Sequence, residues 1–129
     1  DLLELRQPHP YADDYRTCVA QARADWQQSV RPEVLGLPKD LSGYDRIYLG
    51  YPNYCGTMPM AVYTFLEHYD FTGKLICPFC THEGSGLGHS EADIRRLCHG
   101  AKVGKGLAIH GTAVCREERA LEAWIKGGN

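Results

Sequence analysis

Twice in this chain a short apolar run ends in a glycine-containing loop that leads into a helix. The first loop reads Gly50-Tyr51-Pro52-Asn53-Tyr54-Cys55-Gly56-Thr57-Met58-Pro59, the second Thr81-His82-Glu83-Gly84-Ser85-Gly86-Leu87-Gly88. Loops of this kind gather along the carboxyl edge of an open α/β sheet, where such folds hold their ligands. The first brings an aromatic ring and an amide, and the second brings small residues whose backbone lets a flat molecule approach closely. That combination favours a planar aromatic ligand over a metal ion or a peptide.

The rest of the chain falls into line with these loops. Residues 1–5 read as a short strand, closed by Pro8 and Pro10. Over residues 12–29, Tyr15, Cys18, Val19, Ala22 and Trp26 recur at spacings of three and four, which predicts a helix with those residues on the core. Residues 46–51 form a strand rich in aromatic and branched side chains. Pro59 opens a helix that shows Val62, Phe65 and Leu66 inward. Residues 75–80 make the next strand, with Pro78 expected where its missing donor is not needed.

Ser90 and Asp93 then read as the cap pair of a helix carrying Ile94, Leu97 and Cys98. A strand follows over residues 103–110. A last helix runs from about 115 to 126, with Ala120, Leu121, Trp124 and Ile125 inward and Gly127-Gly128 ending it. Strict alternation of strand and helix predicts a single α/β domain: a doubly wound, mostly parallel sheet with helices on both faces in three layers.

Composition narrows the function. The 129 residues are 43% hydrophobic and 23% charged, ordinary for one globular domain. A formal net charge of -2 offers no field for nucleic acid or an anionic membrane surface. No apolar run approaches the roughly 20 residues of a membrane helix. Six cysteines, at 18, 55, 77, 80, 98 and 115, are spread through predicted elements rather than loops, so they are expected as reduced thiols in a cytoplasmic protein.

Cys77 and Cys80 are spaced like a redox dithiol or half a zinc site. In a strand, residues three apart point to opposite faces, and no second such pair completes a metal site. Core packing is the expectation. His82 and Glu83 lack a partner histidine at ligand spacing and read as loop residues, and no metal or catalytic residue is assigned. The Gly84–Gly88 run lacks the register and the downstream acidic residue of a dinucleotide phosphate loop.

Taken together, residues 51–59 and 78–88 resemble the flavodoxin-like flavoproteins, in the branch of flavodoxins and NAD(P)H dehydrogenase (quinone)-type proteins. The likeness extends to Phe71-Thr72-Gly73-Lys74 and Leu121-Glu122-Ala123-Trp124. It implies a flavodoxin-like fold and an FMN cofactor whose ring lies between the two loops. Tyr54 would lie against the isoalloxazine, beside Pro52 and Cys55. Asn53, Gly56 and Thr57 would offer hydrogen bonds. Thr81, His82, Glu83, Gly84, Ser85 and Gly86 would border the pyrimidine side and the ribityl chain.

The implied role is electron transfer or NAD(P)H/quinone reduction. The implied partner is a redox protein or a small-molecule acceptor, with a homodimer as a further possibility. A flavin-free domain serving as a binding or interaction module is the alternative. Two departures stand out. Cys55 occupies the place where relatives carry a second aromatic. Residues 1–5 correspond to the family's second strand, so its first strand, phosphate loop and first helix are not in this stretch. A gap or a substitute strand is therefore expected between residues 1–5 and 46–51, because central strand edges do not stay unpaired away from water.

Overall fold

The structure, a computed structural model, describes residues 1–127. Among the described residues four helices and four strands follow one another: α1 (Tyr15–Gln27), β1 (Arg46–Pro52), α2 (Met60–His68), β2 (Leu75–His82), α3 (Ser90–Leu97), β3 (Lys102–Val103), β4 (Leu107–His110) and α4 (Glu118–Lys126), with a 3₁₀ segment at Gly111–Arg116. Gly127 caps α4, and Gly128, expected to help end that helix, lies outside the described residues.

All strand pairings are parallel. β2 is central, β1 flanks it on one side, and β3 and β4 share its other edge. The strand expected over residues 103–110 is thus two pieces. Its ladder breaks at Lys105 and Gly106 because side chains take their backbone groups: Trp124 Nε1 donates to the Lys105 carbonyl at 2.8 Å, and the Gly106 N–H donates to Glu91 Oε2 at 2.9 Å. Pro78 exploits that break. The Gly104 N–H donates to the Ile76 carbonyl at 2.8 Å, so the even residues of β2 face β3 and β4, and the absent Pro78 donor falls in the interruption.

Helices cover both faces. On one, Leu49, Tyr51, Ile76 and Cys80 pack with Met58, Val62, Phe65 and Leu66 of the α2 region, with Ile94 from α3 and with Cys98 at its C-cap. On the other, Trp124 of α4 meets Tyr48 and Phe79 edge-on, with ring centroids 5.6 and 5.8 Å apart. Gly50 is required there, since a Cβ would lie 2.7 Å from Phe79 Cε2. Cys80 belongs to the larger core and Cys77 does not, as the strand period dictates.

Residues 2–5 do not form the expected strand. Leu2 is 98% exposed, and the segment's one sheet-like contact is an antiparallel bridge from Arg6 to Leu35. A strand needs a ladder partner in register. A groove of about 510 Å³, lined by Asp1, Leu2, Leu3 and Leu5 on one side and residues 46–50 on the other, separates the segment from β1. The gap anticipated between those segments is therefore present.

Two local expectations are also corrected. Ser90 does not cap α3: His89 holds that position, while the fully buried Ser90 hydroxyl donates to the Leu87 carbonyl at 2.6 Å and accepts from Tyr51 Oη at 2.7 Å. Burial between two polar partners outweighs capping here. The α1 stripe also fails to reach the core. Ala22 alone is buried, with Tyr15 83% and Trp26 45% exposed. α1 is secured instead by its Asp14 cap, which accepts from Thr17 N–H at 2.8 Å.

Candidate functional site

The first loop is built around a tight turn. Tyr54 and Thr57 exchange two backbone hydrogen bonds of 3.0 Å, and the two residues between them both sit at positive φ, Cys55 at 54° and Gly56 at 79°. This is the sense of a type I′ turn. Gly56 adopts it freely, whereas the Cys55 side chain costs about 1 kcal/mol of left-handed strain.

Asn53 ties this turn to the second loop. Its Oδ1 accepts the Gly56 N–H at 3.1 Å, and its Nδ2 donates to the Gly86 carbonyl at 3.0 Å. The Gly56 carbonyl accepts from His89 N–H at 2.7 Å. Gly88, at φ 55°, closes the junction: a Cβ there would run into the Gly56 carbonyl oxygen and lie 2.8 Å from its carbon. The two loops are thus one hydrogen-bonded unit. Asn53, expected to offer hydrogen bonds to a ligand, spends one amide donor and one acceptor site on that unit and keeps a second of each.

Between the loops and α1 lies a cleft of about 470 Å³, within the range of small-molecule and cofactor sites. The structure brings nine of the expected residues to its lining: Pro52, Asn53, Tyr54, Cys55 and Gly56 from the first loop, and Thr81, His82, Glu83 and Ser85 from the second. Thr57, Gly84 and Gly86 lie outside it. Thr57 is buried, with its hydroxyl on Asp93 Oδ2 at 2.6 Å. The Gly84 N–H donates to His82 Nδ1 at 2.9 Å.

The opposite wall was not foreseen. Tyr15, Cys18, Val19, Ala22 and Arg23 of α1 complete the cleft together with Gly111. Their three- and four-residue spacing is the signal that predicted a core stripe; periodicity alone does not distinguish a stripe facing the core from one facing a ligand cleft. Arg23 is the one lysine or arginine in the lining.

The chemistry of the walls is quiet. Burial pushes the half-buried Tyr54 phenol up, with a smaller contribution from Cys18, so it stays neutral over the working pH range. Burial likewise pushes the Cys80 thiol up to about 11 and raises that of Cys77; neither resembles the lowered thiol of a redox dithiol. The His82 ring lies 5.4 Å from that of His110, whose Nε2 is 4.0 Å from Glu83 Oε2, a loose contact beside an exposed carboxylate.

The model of the Flavodoxin family matches residues 1–127. The chain belongs to the flavodoxin family. Solved structures agree in fold. A flavoprotein candidate from Bacteroides uniformis ATCC 8492 is 26% identical, with a TM-score of 0.80 over 95% of this chain and 78% of its own. One from Bacteroides eggerthii DSM 20697 is 23% identical, with a TM-score of 0.82 over 98% and 79%. A flavoprotein in complex with FMN from Lactobacillus acidophilus NCFM is 20% identical, with a TM-score of 0.63 over 87% and 76%. No curated protein matches. No helix among the described residues is long and apolar enough to cross a membrane.

Proposed function

We propose that the cleft between the two loops and α1 binds FMN, and that the chain passes electrons between a reduced donor and a redox protein or small-molecule acceptor. The observation that carries this reading is the cleft itself: about 470 Å³ at the carboxyl end of parallel strands, with glycine-containing loops on one side and an apolar helix face on the other. Family membership and an FMN complex among the related folds support it.

The residues fit a flavin. Tyr54 and Pro52 offer flat and apolar surface to the ring, Tyr15, Val19 and Ala22 cover it from α1, and Thr81 and Ser85 carry hydroxyl groups at its polar edge. Bound FMN would supply the one- and two-electron chemistry. The chain's part is to hold the ring, limit water, and present Arg23 to the negative charge of the phosphate or the reduced flavin. The exposed Cys55 leaves that corner of the ring open to a partner.

Protein purified from cells should be yellow and release FMN on denaturation. A colourless protein that fails to quench added FMN fluorescence refutes the reading and favours a flavin-free interaction module. Tyr54→Ala should weaken FMN five- to tenfold, about 1 kcal/mol of stacking beyond area. Unchanged affinity removes Tyr54 from the site.

A further inference from the structure

A second pocket, of about 320 Å³, lies on the other side of the Tyr54–Thr57 turn and shares Cys55 with the cleft. We propose that it binds a small planar carboxylate, stacked on Trp26 with its charge on Arg96 and Arg31. The proposal does not rest on flavin binding.

The pocket's own acid is already committed. Thr57 Oγ1 and Tyr63 Oη both donate to Asp93 Oδ2, at 2.6 and 2.5 Å. Burial acts to raise the Asp93 carboxyl, but the hydrogen bonds from Thr57, Tyr63 and Arg96 outweigh it and hold the group below the usual carboxylate range. Asp93 is thus a charged, internally satisfied floor with little acceptor capacity to spare.

Donors remain in surplus. Arg96 reaches Asp93 Oδ1 at 3.4 Å through Nη2, leaving Nε and Nη1 without acceptors among the described residues. Arg31 is held by Glu67 through Nε and by the Ser29 carbonyl through Nη1, with its guanidinium 5.0 Å over the Tyr63 ring; its Nη2 is uncommitted. Glu67 offsets the charge of Arg31 and Asp93 that of Arg96, so the pull on an anion comes from the unfilled guanidinium N–H groups rather than from a net charge. His89 lines the same space. A planar guanidinium matches a carboxylate, two oxygens against two N–H groups.

The body of the ligand follows from Trp26. Its side chain is 45% exposed on the pocket wall, and its indole N–H has no partner among the described residues. A flat conjugated ring would cover that face and bring its carboxylate to the arginines, whereas inorganic phosphate would leave the indole wet.

Benzoate titrated into flavin-free protein should quench Trp26 fluorescence saturably. Trp26→Phe should abolish the response, since Trp124 is buried with its indole N–H on the Lys105 carbonyl. Benzamide, the uncharged isostere, and inorganic phosphate, which lacks the ring, should each bind at least tenfold more weakly. Arg96→Gln should weaken benzoate about tenfold at unchanged melting temperature, since the side chain is 60% exposed, and Arg96→Lys should recover part of the loss. Equal binding of benzamide overturns the charge assignment, and equal or tighter binding of phosphate overturns the planar class. Absence of saturation, or an unaffected Arg96→Gln, overturns the site. FMN affinity, measured separately by flavin fluorescence, is untouched by any of these results.

Discussion

Replacing Gly88 with alanine tests whether the two loops act as one unit. Gly88 has φ 55°, and a Cβ there would strike the backbone carbonyl of Gly56, with 2.8 Å to its carbon and 3.2 Å to Asn53 Nδ2. Backbone does not swing aside as a long side chain can, so the loops must part. The left-handed conformation costs about 1–2 kcal/mol for a non-glycine residue. Overpacking adds about 1–3 kcal/mol, and loss of the His89 N–H to Gly56 carbonyl bond adds about 1 kcal/mol. The sum is about 3–6 kcal/mol, a large share of the stability of such a domain. Gly86 is the internal control: its φ is 61°, but a Cβ there meets nothing within 4 Å. Gly86→Ala should therefore cost only the conformational part, about 1–2 kcal/mol. Urea unfolding of both variants, with FMN titration alongside, gives the comparison. Equal destabilisation would refute the argument that loop contact, rather than backbone strain, makes Gly88 necessary.

Cys55 and Cys115 should react with a thiol reagent in the folded protein, while Cys77, Cys80 and Cys98 should wait for unfolding, because they are buried and burial lifts the thiols of Cys80 and Cys98 to about 11; fast labelling of Cys80 would contradict the packing. Asp93 has a folded pKa below its unfolded value of 3.8, so its contribution to stability is present above that value and is lost as pH falls through the folded pKa. Asp93→Asn should accordingly lose stability relative to the parent at pH 7, with the difference shrinking on acidification; a constant difference across pH would show that the charge is not responsible. Tyr51→Phe removes the donor to buried Ser90 and should cost about 1 kcal/mol in urea unfolding, whereas a neutral result would mean that Ser90 is satisfied by Leu87 alone.

Strand–helix alternation and the two loops were legible in the sequence because they depend on local chemistry. β1 and β2 emerge from runs of branched and aromatic residues, and the Cys77–Cys80 pair separates by the two-residue period of a strand. The family followed from the loops, and its model matches residues 1–127. What the sequence did not decide was where each face points. The α1 stripe of Tyr15, Cys18, Val19 and Ala22 has a core-like period, yet it walls the cleft beside the two loops. Residues 2–5 have strand character but find no ladder in register. Ser90 has the chemistry of a cap but is drawn into a buried bond with Tyr51, 39 positions away. The sequence by itself determined the central strands, the helices between them and the loops that flank the cleft, since spacing and turn chemistry act over a few residues. The tertiary structure alone decided which apolar face lines the cleft rather than the core, and which polar groups are spent within the fold, since those depend on partners far apart in the chain.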